Sequence, residues 1–191
     1  FIPEGAVFFL PASIDDWASR EAPVPARFYS AHFCFTSGDF CKEVPHDPDY
    51  YFHGEEISIA VRAFTHGYDL FHPHRLIAWH EYTRKGRTKH WDDHAGHKRE
   101  ELPDKKDWGE RNVACHLKNR KLFSMDGEKN ESVVWGPYGF GTERTLRDYE
   151  RYSGLHFGKR AVQQSVLDKK YPPNSWWEYK SEADWEASFT S

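Results

Sequence analysis

The sequence predicts an α/β fold in which a mixed sheet is flanked by helices. Short apolar runs at residues 6–10 and 76–82 have the length of strands, and residues 55–64 show helical periodicity. A chain of 191 residues is long enough to bury the core of one domain, or of a large piece of one. We therefore expect an α/β domain over residues 1–170, followed by a polar, Trp-rich tail over residues 171–191.

The first elements are predicted as two strands around a connector. Residues 6–10 form an apolar run, closed by a proline, that indicates a buried strand. Residues 15–25 carry acidic residues, serine and prolines, which favour a connector. Residues 27–35 are rich in aromatic side chains and are predicted as a second strand that ends in a turn at residues 36–39.

The best-defined helix begins near Glu55, after two prolines that exclude a regular helix from residues 44–51. Glu55 and Glu56 lie in its first turn, where the helix dipole favours negative charge by about 0.3–1 kcal/mol each. Gly67 is placed to end it as a left-handed cap. The side chains expected to face the core follow the i, i+3, i+4, i+7 spacing and are Ile57, Ala60, Val61 and Phe64.

The remaining elements are a strand, a loop and two helices. Residues 76–82 alternate as a strand and carry His80 on one face, and residues 83–108 are polar and histidine-rich, as in a long loop or lid. Helices are predicted over residues 110–123 and from Thr142 as N-cap to about residue 153, with a glycine as C-cap. The tail is expected to pack on the surface or to fray, with its tryptophans exposed.

Composition excludes several function classes. A net charge of −4 argues against a dedicated nucleic-acid binder, and no apolar run reaches membrane-spanning length. Three cysteines without CxxC spacing favour a reduced, cytoplasmic protein over a disulfide framework or a zinc site. There is no GxSxG elbow and no GxxxxGK[ST] phosphate loop. Aromatic residues make up 17% of the chain, a composition that suits a carbohydrate site as well as an ordinary core.

Three groups of residues could carry chemistry. His80 can ligate a metal, although a histidine in a strand is more often a satisfied core residue. Glu55 and Glu56 can bind a hydroxyl group or act as a general base, with Glu56 preferred, and the preceding Gly54 permits close approach of a ligand. A short basic run, Arg84, Lys85, Arg87 and Lys89, suits a diphosphate or a solvated loop. Two further motifs that resemble metal sites, Asp-Pro-Asp at 47–49 and Asp-Asp-His at 92–94, have low specificity.

The motifs FHGEE at 52–56, RAFTHGYD at 62–69, HEY at 80–82 and YGFGTERT at 138–145 resemble glycosyltransferases related to the hydroxyproline-directed N-acetylglucosaminyltransferase. The similarity spans about residues 28–155. A more distant similarity links the chain to the mucin-type polypeptide N-acetylgalactosaminyltransferases. The resemblance implies an A-type glycosyltransferase fold that transfers a sugar, expected to be N-acetylglucosamine, from a UDP donor with retention of configuration. It also implies Mn²⁺ (or Mg²⁺) and a hydroxyl-bearing protein or glycan acceptor.

The resemblance also implies roles for individual residues. His80 would ligate the metal, and Glu56 or Glu55 would face the reacting sugar. Such families carry their Asp-x-Asp or Asp-x-His motif in an upstream half, so residues 1–170 are expected to be the C-terminal, acceptor and metal-histidine part of the domain. The residues implied to bind the donor diphosphate are Arg84, Tyr82, Lys85 and Arg87, and those implied to bind the sugar or the acceptor are His53, Gly54, His66, Tyr68 and Trp79.

Two other interpretations stay open at this point. One is a mononuclear metal oxygenase or hydrolase that combines His80 with His90, His94 or His97. The other is a non-catalytic module, rich in aromatic residues, that binds a carbohydrate or a protein. Metal analysis without UDP affinity would favour the first, and sugar binding that is indifferent to EDTA would favour the second.

Overall fold

The computed structural model describes residues 1–5, 7–14 and 16–189. In these residues, helices dominate and the strands are only two residues long. The α-helices are α1 Phe40–Glu43, α2 Glu55–Thr65, α3 Trp108–Leu122, α4 Leu146–Ser153, α5 Gln164–Leu167 and α6 Glu182–Ala187. The strands are β1 Val24–Pro25, β2 Phe71–His72, β3 Leu155–His156 and β4 Ala161–Val162, and short 3₁₀ helices cover His90–His94, Gly96–Glu101, Asn130–Ser132 and Gly136–Tyr138.

The strands form two separate antiparallel ribbons, β1 with β2 and β3 with β4. Helices and small sheets agree with the α/β class, but the described residues contain no mixed sheet flanked by helices. The strands predicted at residues 7–10, 27–35 and 76–82 are wrong, and residue 6 lies outside the described residues. Leu76 and Ile77 are 50% and 52% exposed, so this run has neither a buried face nor a bonded neighbour, and a strand needs both.

Helix α2 is the centre of the structure. Nine of its 11 residues are buried, so the helix is surrounded by protein rather than packed on one face. Its predicted stripe enters the main core beside side chains from the end of α3, from α4 and from β3, and α4 packs directly against it. Ile59 and Ala63, on the opposite side, join Val44 in a second cluster. The predicted helix and its core-facing residues are confirmed.

The predicted C-terminal cap of α2 is also confirmed, whereas the N-cap of α4 lies three residues after the predicted one. Gly67 adopts φ of 95°, and the next amide, of Tyr68, donates to the carbonyl of Ala63 at 3.0 Å, which is the Schellman pattern. Thr145, not Thr142, caps α4. The reason is that residues 143 and 144 donate their amides to the carbonyl of Thr65, so this stretch binds the end of α2 before α4 begins.

A buried arginine joins α2 to two loops. Arg62 has no exposed surface, and its Nη1 and Nη2 donate to the carbonyls of Pro45 and Pro137 at 2.8 and 3.0 Å. Its guanidinium also lies 5.7 Å from the ring of Tyr138. Burial lowers the pKa of Arg62, while nearby Asp47 acts in the opposite direction. The arginine holds together segments that share no strand pairing.

The tail is an integrated part of the fold. Trp185 on α6 is fully buried, packs against His156 with ring centroids 4.9 Å apart, and lies under the guanidinium of Arg147 at 4.3 Å. Glu182 pairs with Arg147 and Arg151 at 3.2 and 3.3 Å. The expectation that the tail tryptophans are exposed is therefore wrong for Trp185, because α6 covers the end of α4 and β3. Within the described residues, no helix combines the length and the apolar character needed to cross a membrane.

Replacing Arg62 by methionine should destabilise the protein strongly. Arg62→Met keeps most of the side-chain volume but leaves two carbonyl oxygens without their donor, so we expect the free energy of unfolding to fall by about 2–5 kcal/mol. Urea unfolding measures the change, with Arg75→Met, at an exposed position, as the control expected to stay within about 0.5 kcal/mol of wild type. Equal stability of both variants would contradict this role of Arg62.

Candidate functional site

The start of α2 is fixed by a buried asparagine of α3. Gly54 precedes the helix with φ of 101°, a conformation that favours glycine. The Asn119 side chain donates to the carbonyl of Gly54 at 3.2 Å and accepts a hydrogen bond from the Tyr50 hydroxyl. A Cβ at position 54 would overlap Asn119. On this side, Gly54 therefore accommodates the side chain of Asn119.

Glu56 connects α2 to the segment that precedes α1. Its Oε1 accepts a hydrogen bond from the amide of Ala31 at 2.8 Å. The neighbouring Ser30 hydroxyl lies 2.9 Å from Nδ1 of His32, which fixes the imidazole ring. Glu56 therefore helps to position His32, a histidine that the sequence alone did not identify as a candidate.

His32 and His80 form a pair of imidazoles. Their ring centroids are 4.2 Å apart at 77°, and the ring of Tyr82 lies 4.2 Å from that of His80. Both histidines are exposed. The structure therefore brings His80 into the neighbourhood of Glu56 through the short segment from Ala31 to His32. The signal for His32 was its place within the aromatic run at residues 27–35.

An open cavity of about 250 Å³ lies beside this pair. Its walls are mostly apolar, with a few polar groups, which is the usual composition of a small-molecule site. Trp79, predicted to bind sugar or acceptor, is one of its walls and is 83% exposed. The side chains that define the cavity include Trp17, His32, Phe33, Arg75, Trp79 and His80.

Burial raises the pKa of Glu55 and lowers that of His53. Oε2 of Glu55 is buried without a hydrogen-bond partner in the described residues, and burial raises the pKa of this carboxyl to about 7, with a further contribution from Glu56. Burial lowers the pKa of His53, whose ring lies 5.9 Å from that of His116. A carboxyl group with a pKa near 7 can gain or lose a proton at neutral pH.

Two predicted sugar or acceptor residues lie at the other end of α2. The helix has 11 residues, so its ends are about 16 Å apart. At its C-terminus, His66 Nδ1 hydrogen-bonds the carbonyl of Arg62 at 2.8 Å, and the Tyr68 hydroxyl donates to Glu43 at 2.6 Å. The structure does not bring His66 and Tyr68 together with Glu55, Glu56 and His80.

The predicted diphosphate residues are distributed along the segment after His80. Arg84 lies over the indole of Trp91 at 4.9 Å, and Nη2 of Arg87 donates to the carbonyl of Glu81 at 3.1 Å. Lys85 is exposed in a turn. Trp91 in turn packs at 5.6 Å against Phe52, two residues before Gly54. The segment predicted as a loop or lid thus contains two 3₁₀ helices and is anchored beside the start of α2.

The described residues do not assemble a metal site of their own. They contain no group of three or more His, Cys, Asp or Glu side chains that could hold a metal ion. Asp47 and Asp49 both bind Lys118, at 2.6 and 2.8 Å, and Asp92 accepts the amide of Lys89 at 2.9 Å. His90 and His94 pack on Tyr51, so the alternative set of His80 with His90, His94 or His97 is not assembled.

Removing the charge of Glu55 should stabilise the protein in a pH-dependent way. The pKa of Glu55 is about 7 in the folded protein against an ordinary 4.5, so its stabilising contribution is complete below 4.5 and is lost as the pH rises to about 7. The free energy of unfolding of Glu55→Gln should therefore be higher than that of wild type by roughly 1–3 kcal/mol near pH 8, and this difference should shrink toward pH 5. Urea unfolding at both pH values tests this, with exposed Glu131→Gln as the control. A difference independent of pH would contradict the burial of this charge.

A comparison with known families identifies the class of protein to which the chain belongs. The model of the family described as Glycosyltransferase (GlcNAc) matches residues 1–159. No curated protein and no solved structure matches the chain. The match extends over more than four-fifths of the sequence and includes α2, the two imidazoles and the cavity beside them. The chain belongs to the Glycosyltransferase (GlcNAc) family.

Proposed function

We propose that this chain carries active-site residues of a metal-dependent, retaining glycosyltransferase. It would move N-acetylglucosamine from a UDP donor to a hydroxyl group of a protein or glycan acceptor. The observation that carries the proposal is the arrangement of Glu56, the His32–His80 pair and the aromatic cavity in a member of the GlcNAc glycosyltransferase family.

Glu56 is the residue proposed to meet the reacting sugar or acceptor. One carboxylate oxygen is held by the amide of Ala31, which fixes the orientation of the group. The other oxygen can accept a hydrogen bond from a hydroxyl group or take its proton as a general base. Glu55, with a pKa of about 7, is proposed to hold or release a proton at the same end of α2.

His80 is the proposed protein ligand for Mn²⁺ (or Mg²⁺). These ions prefer hard oxygen donors beside an imidazole, and the described residues supply no complete set. The diphosphate of the donor would therefore supply the remaining ligands. When bound, the ion would neutralise charge on the departing UDP. Tyr82 beside His80, and the exposed side chains of Arg84, Lys85 and Arg87, would contribute further donors to the phosphates.

The cavity is the proposed seat of the transferred sugar or of the acceptor. The exposed indole of Trp79 offers a flat apolar face, which suits the C–H face of a pyranose ring. His53, the residue before Gly54, would contact the acceptor beside Glu56. His66 and Tyr68 lie at the far end of α2 and would contact only an acceptor long enough to extend along the helix.

The same proposal assigns the chain to the A-type glycosyltransferase fold and to the cytoplasm. Family membership supports the fold assignment. The sheets of the described residues are two ribbons of two strands each. The cysteines support the location. Cys34, Cys41 and Cys115 are all free thiols, which a reducing compartment preserves.

Neutralising Glu56 should abolish sugar transfer without unfolding the protein. Glu56→Gln retains an oxygen that can accept the amide of Ala31, so the local structure should persist, but the amide cannot act as a base. We expect the transfer of sugar from UDP-N-acetylglucosamine to fall by about 10²–10⁴-fold, measured as UDP release with an acceptor panel of hydroxyl-bearing peptides and glycans.

Glu131→Gln is the matched control, since Glu131 is exposed in a 3₁₀ helix away from α2, and its activity should equal that of wild type. Full activity of Glu56→Gln would remove this residue from the reaction. UDP-glucose or UDP-galactose serving better than UDP-N-acetylglucosamine would overturn the donor assignment alone.

A further inference from the structure

A second cavity, of about 300 Å³, lies at the C-terminal end of α2. It is lined by the segment that follows α2, by Arg144 just before α4, by Tyr152 near the end of α4 and by the tail. The reacting groups of the proposed transferase lie at the other end of α2 and do not use it. Its lining includes the side chains of Asp69, Phe71, Arg144, Asn174, Trp176 and Trp177.

The aromatic walls of this cavity are fixed at a right angle to each other. Trp176 packs edge-on against the buried ring of Phe64 at 5.4 Å, so the core holds its indole in place. Trp177 stands at 82° to Trp176, with ring centroids 5.4 Å apart, and is 59% exposed. Phe71 adds a third ring, also more than half exposed. The cavity therefore presents flat apolar faces that the fold has already oriented.

The two charged side chains of the cavity, Arg144 and Asp69, form an ion pair. Arg144 binds Asp69 at 2.9 Å through Nη1, the same nitrogen that donates to the carbonyl of Tyr68 at 3.3 Å. Its guanidinium also lies 4.5 Å from the ring of Phe64, which fixes it from the core side. The Asp69 carboxylate is 61% exposed, so it keeps acceptor capacity toward a ligand. The exposed amide of Asn174 supplies both a donor and an acceptor.

We propose that this cavity is a binding site for a neutral pyranose sugar, separate from the transferase site. Indole faces pack against the C–H face of a sugar ring, while a carboxylate, a guanidinium and an amide satisfy its hydroxyl groups. Because Arg144 and Asp69 neutralise each other, the cavity has no net charge to attract a phosphate or an acidic sugar. A peptide would bring backbone amides but few hydroxyl groups for these side chains, so the saccharide is favoured.

The site is independent of the proposed reaction. It lies at the end of α2 opposite Glu55 and Glu56, about 16 Å along the helix. Its tail residues, from Pro173 onward, also lie outside the part of the chain that matches the family. Sugar binding here can therefore be measured on the full chain without a nucleotide, and it survives even if the transferase proposal fails.

Saturation-transfer NMR and calorimetry with methyl glycosides test the proposal. The probes are the methyl β-glycosides of N-acetylglucosamine, glucose and galactose, with the methyl glycoside of glucuronic acid as the charged probe, all added without UDP or metal. At least one neutral probe should bind. Trp177→Ala and Asn174→Ala, both at exposed positions, should weaken it, the former by about tenfold, equivalent to about 1.4 kcal/mol.

Two control variants assign the binding to this cavity. Trp108→Ala removes an exposed indole at the start of α3 and is the matched control, which should bind the sugar as wild type does. Trp79→Ala removes the indole of the other cavity and therefore measures any sugar that binds there instead. Absence of binding by every neutral probe would overturn the proposal. Binding that is lost in Trp79→Ala and kept in Trp177→Ala would also overturn it, as would preference for the methyl glycoside of glucuronic acid.

Discussion

The burial of α2 is the constraint on which the rest of the structure depends. The strands of the described residues are only two residues long, so no sheet organises that part of the chain, and the helix carries that role instead. Apolar side chains on two sides enter two core clusters, while Arg62 crosses the interior to bind the carbonyls of Pro45 and Pro137. Burying an arginine is costly unless its donors are satisfied, so these carbonyls are held where the guanidinium requires them. Loops distant in sequence are thereby fixed around one helix.

The fixed helix then places chemistry at both of its ends. At the N-terminus, Asn119 fills the space over Gly54, and Glu56 holds the segment that carries His32 toward His80. At the C-terminus, the carbonyl of Thr65 binds the amides that lead into α4, which brings Arg144 to Asp69. The two cavities are consequences of this arrangement, one beside the imidazole pair and one under the tail.

Helix α2 could be predicted because its signals are local in sequence. Much of the remaining structure could not be predicted, because it depends on packing between distant residues. The stripe, the acidic first turn and Gly67 identified the helix and its cap because each depends on neighbours within four residues. The strand at 76–82 failed because alternation is the same whether or not a partner strand exists. His32 and Trp185 escaped notice since their importance comes from contacts with His80 and His156, far away in sequence. The family resemblance supplied the enzyme class, which periodicity alone does not contain.

The central claim is that His80 belongs to a metal-dependent UDP site on this chain. Calorimetric titration of UDP, with Mn²⁺ and again with EDTA, tests it most directly on wild type and His80→Ala. His80 is exposed, so the variant should fold as wild type does. We expect UDP to bind wild type only in the presence of Mn²⁺, and His80→Ala to lose this binding. Binding that is unaffected by EDTA or by the substitution, or its absence from folded wild type, would contradict the account.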